Sequence, residues 1–324
     1  MIIDAHAHFV PQALLDALTS QRSFPSVKVA MDEGGVRFAF AGQEAKRPVP
    51  AGMSDVDRRR RWLSDRGIDK QVVGGWLDMF GYDLPPEEGL EWSRFLNAHM
   101  LKAVSAIPFL VPLATVPMQD GNRAAAVLKA AVAAGFPGVM IGTLPRGIGS
   151  VLDAPDLDPF WAAADGLGAV VHIHPSFDAG DVRVNAFGLQ NAVGRISDAI
   201  VAVARLLYSG HVTRYANAKF VVSMGAAGLP FVLGRMKRNQ QITPGISDPV
   251  DSLGRLYTDT ILHDPRVLRF VITMMGADRI MLGSDMPFPI GDAEPMKIVA
   301  DAGVTAEQAA SINGGLAARL FRLG

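Results

Sequence analysis

Asp4-Ala-His6-Ala-His8 sets two imidazoles two residues apart, directly after the apolar lead-in Met1 to Ile3. On an extended segment, residues i and i+2 point to the same side, so both rings can reach one metal ion. A second pair ends the run Val170-Val171-His172-Ile173-His174-Pro175, and a carboxylate, Asp285, follows the apolar stretch Ile280-Met281-Leu282. An unpaired anion after such a run is costly, whereas a cation or proton partner makes it tenable. His6, His8, His174 and Asp285 are therefore the expected ligand set for one divalent ion. Their nitrogen and oxygen donors suit zinc, with manganese, iron or cobalt as alternatives. Such an ion polarises a carbonyl or hydroxyl and, in favourable zinc sites, lowers the pKa of bound water to about 7. His174 is expected near the mouth and His172 one layer deeper. His172 is then either a supporting, proton-handling group or a hydrogen-bonded core histidine. The segment Gly138–Gly142 has no lysine that could be carbamylated to bridge two metals, which favours a single ion.

Residues so far apart converge only if the first and last strands of a sheet are neighbours, which requires a closed barrel. Eight apolar runs fit that requirement: Met1–Val10, Lys70–Trp76, Leu110–Val116, Gly138–Gly142, Ala169–His174, Lys219–Met224, Leu256–Thr260 and Arg279–Ser284. Helical patterns alternate with them, near Asp55–Asp65, Pro86–Val104, Asn122–Ala134, Pro155–Leu167, Leu189–Leu207, Leu229–Arg238 and Pro265–Met275. C-terminal helices are expected near Pro295–Ala302 and Ala306–Phe321. Repeated βα units predict an α/β fold, a (β/α)8 TIM barrel whose chemistry sits at the C-terminal ends of the strands. Gly67 and Gly135 read as residues that end helices, and Asp264-Pro265 as an N-cap followed by proline. A single domain over residues 1–324 is expected, with insertions near 11–54 and 239–254 that are too long to be simple connections.

The chain of 324 residues is 49% hydrophobic, enough for one large core. Lys and Arg total 31 against 32 acidic residues, so no global field favours nucleic acid or an anionic membrane. Arg58-Arg59-Arg60-Arg61 does not change this, because consecutive helical residues fan around the axis at about 100° each. With no cysteine, disulfides, thiolate nucleophiles and sulfur-bound zinc are excluded. No apolar run approaches the roughly 18 residues of a membrane span. The N-terminus enters a strand without a signal-like pattern, so a cytoplasmic location is expected.

Several longer motifs carry a resemblance: Asp4-Ala-His6-Ala-His8, Thr115-Val-Pro-Met-Gln119, Gly135-Phe-Pro-Gly-Val-Met-Ile-Gly-Thr143, His174-Pro175, Tyr257-Thr-Asp-Thr-Ile-Leu-His263-Asp-Pro265 and Leu282-Gly-Ser-Asp285-Met-Pro-Phe-Pro289. Together they resemble the amidohydrolase superfamily, and within it the branch of aminocarboxymuconate semialdehyde decarboxylase. The resemblance implies a (β/α)8 barrel, a catalytic metal that is usually zinc on the matching histidines and aspartate, and a homodimer. One motif departs. Where relatives read His-Gly-Gly-Gly at the sixth strand, with a proton-handling histidine, this chain reads Met224-Gly225-Ala226-Ala227. Methionine transfers no proton.

A metal-dependent enzyme is therefore expected, most of all a carboxy-lyase that removes carbon dioxide without oxidation from a small unsaturated or aromatic acid. The alternatives are a hydrolase or hydratase using metal-bound hydroxide, and a non-catalytic metal-binding subunit that pairs with a homologous partner. Asp285, His172 and His263 are the candidate catalytic groups. Arg47 is the residue most like the family's carboxylate-binding arginine, since the planar guanidinium grips both carboxylate oxygens. Met224, Trp76 and Phe80 are the candidate apolar lining.

Overall fold

The computed structural model describes residues 1–20, 23–45, 47–177 and 179–323. Its strands are β1 (Ile3–His8), β2 (Val27–Asp32), β3 (Gly35–Phe40), β4 (Lys70–Gly74), β5 (Leu110–Pro112), β6 (Gly138–Gly142), β7 (Val170–His174), β8 (Lys219–Val222), β9 (Tyr257–Asp259) and β10 (Ile280–Met281). All eight strands expected from the apolar runs are present, most of them shorter at their ends. One parallel sheet runs β1-β4-β5 and another β10-β9-β8-β7-β6. Isolated parallel bridges join them at both seams, Ala114 to Val139 and Ala7 to Met286. The second seam also carries Ala5 N–H to Leu282 O at 2.7 Å and His8 N–H to Met286 O at 2.8 Å. The strands thus form a (β/α)8 barrel, and the seams are narrow because β5 and β10 leave the ladder early.

Alternation along the strands builds two layers. Val72, Val111, Met140, Val170, Val221 and Met281 share one cluster inside the barrel, with Leu316 and Phe321 of the last helical turns packed onto it. Val73, Val139, Val171, Ile173 and Val222 face the other way, against Leu128, Trp161 and Leu206 of the surrounding helices. Each large side chain buried this way contributes about 1.5–3 kcal/mol.

β1 departs from simple alternation. It pairs Asp4 with Gln71 but Ala7 with Val73, so it carries one extra residue between those two points. That bulge lets Ile3 and Ala5 join the interior cluster while His6 and His8 also reach the barrel's inner face. Asp4 is turned outward, where it accepts from Gln71 Nε2 at 2.7 Å and from Ser284 Oγ and N at 2.5 and 3.0 Å. Arg59, fully buried on helix Val56–Asp65, completes the outer network by donating to Gln71 Oε1 and, at 2.6 Å, to the His8 carbonyl. Of the four consecutive arginines, it is the one that the helix phase directs inward.

The expected helices form with small shifts. Asp264 caps helix Pro265–Met275 by accepting from Arg266 N–H at 2.8 Å, and Asp120 caps Gly121–Ala133 in the same way. The helix expected over Leu189–Leu207 begins as a π-helical turn, Gln190–Gly194, before Arg195–Tyr208. The helix expected over Ala306–Phe321 is broken into Ala306–Ala310, the turn Ser311–Gly315 and Leu316–Leu320. The break lies where Gly314 packs on the start of β1, because a Cβ at Gly314 would meet the Met1 carbonyl at 2.2 Å. The insertion near 11–54 holds helix Gln12–Ser20 and an antiparallel hairpin of β2 and β3, which the mixed composition had not suggested. The hairpin is anchored by Phe38 and Phe40 against Trp92. In the insertion near 239–254 the preceding helix extends to Ile242, and Pro249–Leu253 adds one turn. No helix among the described residues is long and apolar enough to cross a membrane.

Candidate metal centre

His6, His8, His174 and Asp285 each present one ligand atom, all within 4.8 Å of one another, and all four residues are buried. They come from β1, from the end of β7 and from the loop after β10, so only barrel closure brings them together. The hydrogen bonds decide which nitrogens face the centre. Nδ1 of His6 is 2.7 Å from Asp259 Oδ2, Nδ1 of His8 is 3.0 Å from the Gly75 carbonyl, and Nδ1 of His174 is 2.9 Å from the Pro175 carbonyl. Those oxygens accept, so each Nδ1 carries the hydrogen and each Nε2 presents a lone pair. Nε2 of His6, Nε2 of His8 and Oδ1 of Asp285 are buried without hydrogen-bond partners. Buried polar atoms are normally satisfied. Three orphans converging on one point, with a carboxylate among three imidazoles, fit a divalent cation.

Asp285 Oδ1 lies 3.1 Å from His8 Nε2 and 3.8 Å from His6 Nε2. Burial pushes the Asp285 pKa up, but the close approach of the His8 ring and the charges of His8, His6 and Arg195 outweigh it and hold the group below its ordinary value. For His6, burial pulls downward and is overcome by the Asp259 hydrogen bond and the carboxylates around it, so its pKa is raised. Burial and the neighbouring imidazoles hold His174 well below the usual histidine range.

His172 lies deeper, with Nε2 3.0 Å from Ser223 Oγ and its ring centroid 4.6 Å from that of His6. Its Nδ1 is buried and unpartnered, and burial holds its pKa well below the usual value. His6, His172 and Asp259 also place one donor atom each within 4.8 Å of one another. The Nδ1 of His6 is already engaged by Asp259, however, so this group supports the first site rather than making a second.

After β8 the chain makes a left-handed turn, with φ of 56° at Met224, 61° at Gly225, 58° at Ala226 and 52° at Ala227. Left-handed backbone costs non-glycine residues roughly 1–2 kcal/mol each. Side chains of β9 hold the turn: Asp259 Oδ1 accepts Met224 N–H at 2.8 Å, and Thr258 Oγ1 accepts Ala226 N–H at 2.6 Å. One carboxylate, Asp259, thus fixes both the His6 ring and the segment that carries Met224. Gly283 leaves room for this pair, since a Cβ there would stand 2.9 Å from Asp259 Cβ and 3.2 Å from His6 Cβ.

The family model described as amidohydrolase matches residues 3–323. The chain belongs to the amidohydrolase family. A curated relative of this amidohydrolase, the 2-amino-3-carboxymuconate-6-semialdehyde decarboxylase of Dictyostelium discoideum, is 27% identical over 316 residues, covering 92% of this chain and 84% of the relative. The crystal structure of apo IDCase from Metarhizium anisopliae superposes with a TM-score of 0.81 at 22% identity, covering 100% of this chain and 97% of that one. A dihydroxybenzoic acid decarboxylase from Polaromonas, solved with bound manganese and 2-nitroresorcinol, gives a TM-score of 0.79 at 22% identity, covering 99% and 97%. At such identities the two structural likenesses establish the fold.

The amidohydrolase brings some of the other candidate residues to the site, but Met224 and His263 line neither of the two pockets there. Trp76 and Arg47 line a small pocket with His8 and His174, and Phe80 and Arg47 line a larger outer cleft of about 580 Å³. His263 is not brought in. It is exposed on the loop after β9 with φ of 56°, and it belongs to neither ligand group. Its nearness in sequence to Asp259 is misleading, because the chain has already turned outward over the rim. Asp259, within the motif Tyr257–Pro265, orients one of the ligand histidines, whereas Arg195 carried no signal within an ordinary helical pattern.

Proposed function

We propose that this amidohydrolase is a metal-dependent decarboxylase acting on a small unsaturated or aromatic carboxylic acid. The observation that carries the reading is the convergence of three Nε2 lone pairs and one carboxylate oxygen beside an arginine-lined pocket. The similarity to the Dictyostelium decarboxylase over most of both chains supports it. Held by His6, His8, His174 and Asp285, a divalent ion would supply Lewis-acid stabilisation of negative charge on the substrate.

The chain's own residues supply orientation and proton handling. Gly75 and Pro175 carbonyls and the Asp259 carboxylate lock the three ring orientations. As the carbon–carbon bond breaks, its electron pair stays on the substrate and a proton must replace the departing carbon dioxide. His172, neutral and paired with Ser223, is the proton-handling group we assign in place of the missing histidine, with Ser223 Oγ linking it to the Ile173 carbonyl at 3.3 Å. His263 is too exposed for that part.

Zinc is the metal we propose from the donor set, although the Polaromonas neighbour holds manganese. A homodimer is the proposed assembly, supported by the exposed apolar side chains Phe231, Val267 and Phe270 around one surface groove. The cytoplasm, where small organic acids turn over, is the proposed compartment.

Incubating the metal-loaded protein with a panel of hydroxylated and unsaturated acids tests the activity. Release of carbon dioxide is expected. Incorporation of labelled solvent oxygen without carbon dioxide would replace this reading by hydrolysis or hydration. Met224 motivates a second reading, a non-catalytic partner subunit. Copurification with a homologous barrel, together with no turnover by this chain alone, would establish it.

A further inference from the structure

Thr143 ends the motif Gly135–Thr143, one residue beyond β6. Its place follows from strand register: Gly142 pairs with His174 in the β6–β7 ladder, so the next residue of β6 comes beside the peptide that leaves His174. There the buried Thr143 Oγ1 accepts the Ser176 N–H at 2.9 Å. The same oxygen bonds to Oδ2 of Asp198, a buried carboxylate on helix Arg195–Tyr208, and lies 3.1 Å from Ser176 Oγ. A hydroxyl has one hydrogen and two lone pairs. Thr143 therefore gives its hydrogen to the carboxylate, the strongest acceptor in reach, and accepts from Ser176.

The Ser176 N–H and the Pro175 carbonyl belong to one peptide unit, and that carbonyl is the oxygen that accepts Nδ1–H of His174 at 2.9 Å. A directed chain thus runs from His174 to the Pro175 carbonyl, through the peptide to the Ser176 N–H, then to Thr143 Oγ1 and to Asp198 Oδ2. Every link donates the same way. Hydrogen bonds in series polarise one another by about 10–30% per bond. The carboxylate at the far end therefore strengthens the pull on Nδ1–H and leaves His174 Nε2 a better electron donor. Burial raises the Asp198 pKa, while the Thr143 hydroxyl and the Ser176 N–H act against it and favour the anion. His6 has the direct form of the same support, since Asp259 Oδ2 takes its Nδ1–H without an intermediary.

We propose that Thr143 and Asp198 are positioning residues of the metal centre, which orient His174 and raise its basicity through the Pro175–Ser176 peptide. This rests on His174 being a metal ligand and is independent of the reaction catalysed.

Zinc affinity, read by competition with a chromophoric chelator, and the ring N–H proton spectrum of the zinc-loaded protein test it. Thr143→Val removes the hydroxyl at nearly constant volume and is expected to weaken zinc binding about tenfold, the lower end of the range for a supporting partner. Asp198→Asn keeps an acceptor without the charge and should cost about threefold. Thr143→Ser, which keeps the hydroxyl, should stay within about twofold of native. If the valine variant does not fold, the serine and asparagine variants decide the matter. In each weakened variant the His174 Nδ1–H resonance should move upfield, which loss of a merely structural link would not cause. Affinity within about twofold of native in both Thr143→Val and Asp198→Asn, an unmoved resonance, or a loss in Thr143→Ser as large as in Thr143→Val overturns the proposal. A native protein that binds neither zinc nor manganese nor cobalt removes the ligand group and the proposal with it. Zinc binding that depends on Thr143 and Asp198, in a protein that releases no carbon dioxide from any acid, leaves the proposal standing and removes the decarboxylase.

Discussion

Asp259 accepts from Nδ1 of His6 at 2.7 Å and so determines that the opposite nitrogen of that ring faces the ligand group. Its other oxygen receives the Met224 N–H at 2.8 Å, which ties the ring's orientation to the strained turn after β8. Asp259→Asn keeps the shape, loses the charge and can present an N–H where an acceptor is required. Metal affinity is expected to fall 10- to 100-fold, the usual range for loss of such a supporting partner. Competition against a chromophoric chelator measures it.

Gly283→Ala intrudes on the same pair without removing a ligand. A Cβ at 2.9 Å from Asp259 Cβ forces backbone or side-chain movement. A loss of metal affinity of about tenfold is expected together with about 1–3 kcal/mol of destabilisation from overpacking. An unchanged affinity would show that the His6–Asp259 pair tolerates displacement.

Arg59 is the buried cation of the outer network, and burial lowers its pKa to about 10. Replacing it with leucine leaves the His8 carbonyl and Gln71 Oε1 without their donor and removes a cation that interacts with Asp4, whose pKa burial raises against the hydrogen bonds of Ser284 and Gln71. A loss of about 3–5 kcal/mol is expected in urea unfolding of Arg59→Leu. Arg60→Leu, exposed on the same helix, should change stability by no more than about 0.5 kcal/mol.

Metal-stripped protein is expected to lose stability on mild acidification. His172 and His174 have folded pKa values held well below 6.5 by burial and then by the neighbouring imidazoles, so below that pH the unfolded chain binds protons that the folded one refuses. Their contribution is complete above about pH 6.5 and declines as pH falls, by up to about 1.4 kcal/mol per pH unit for each ring. His6 has the opposite sign: its raised pKa gives a contribution present below 6.5 and lost as pH rises through the folded value. The two windows do not overlap, so below pH 6.5 the His172 and His174 rings set the direction. Thermal melts of chelator-treated protein between pH 6.5 and 5.5 should therefore show a falling midpoint, and a midpoint that rises would show that those rings are not buried neutral.

Met224→His introduces the residue type that the family resemblance implies at this position. If loss of a proton-handling group limits turnover, carbon dioxide release should rise at least about tenfold. No change would assign that task to the His172–Ser223 pair, and a fall would show that this chain's pocket is built around methionine.

The spacing of apolar runs was enough to count eight barrel strands and to order them, because period-two patterns and helix punctuation are local properties of the chain. The identities of His6, His8, His174 and Asp285 were legible for the same reason: each ends a recognisable strand pattern. What the sequence left undetermined was which side chains meet. The bulge in β1 turned Asp4 away from the histidine face, although simple alternation would place it beside His6. The packing of helix Val56–Asp65 against β4 chose Arg59 from four identical neighbours. The loop after β9 carried His263 outward, while Asp259, four residues earlier, became the partner of a histidine at the opposite end of the chain. Arg195 acquired its place only because the fold sets the start of helix Arg195–Tyr208 beside His8 and His174. Hydrophobic periodicity records the direction each side chain takes from its own element, whereas charge and hydrogen-bond partners depend on what closure brings opposite it, and that is decided across hundreds of residues at once.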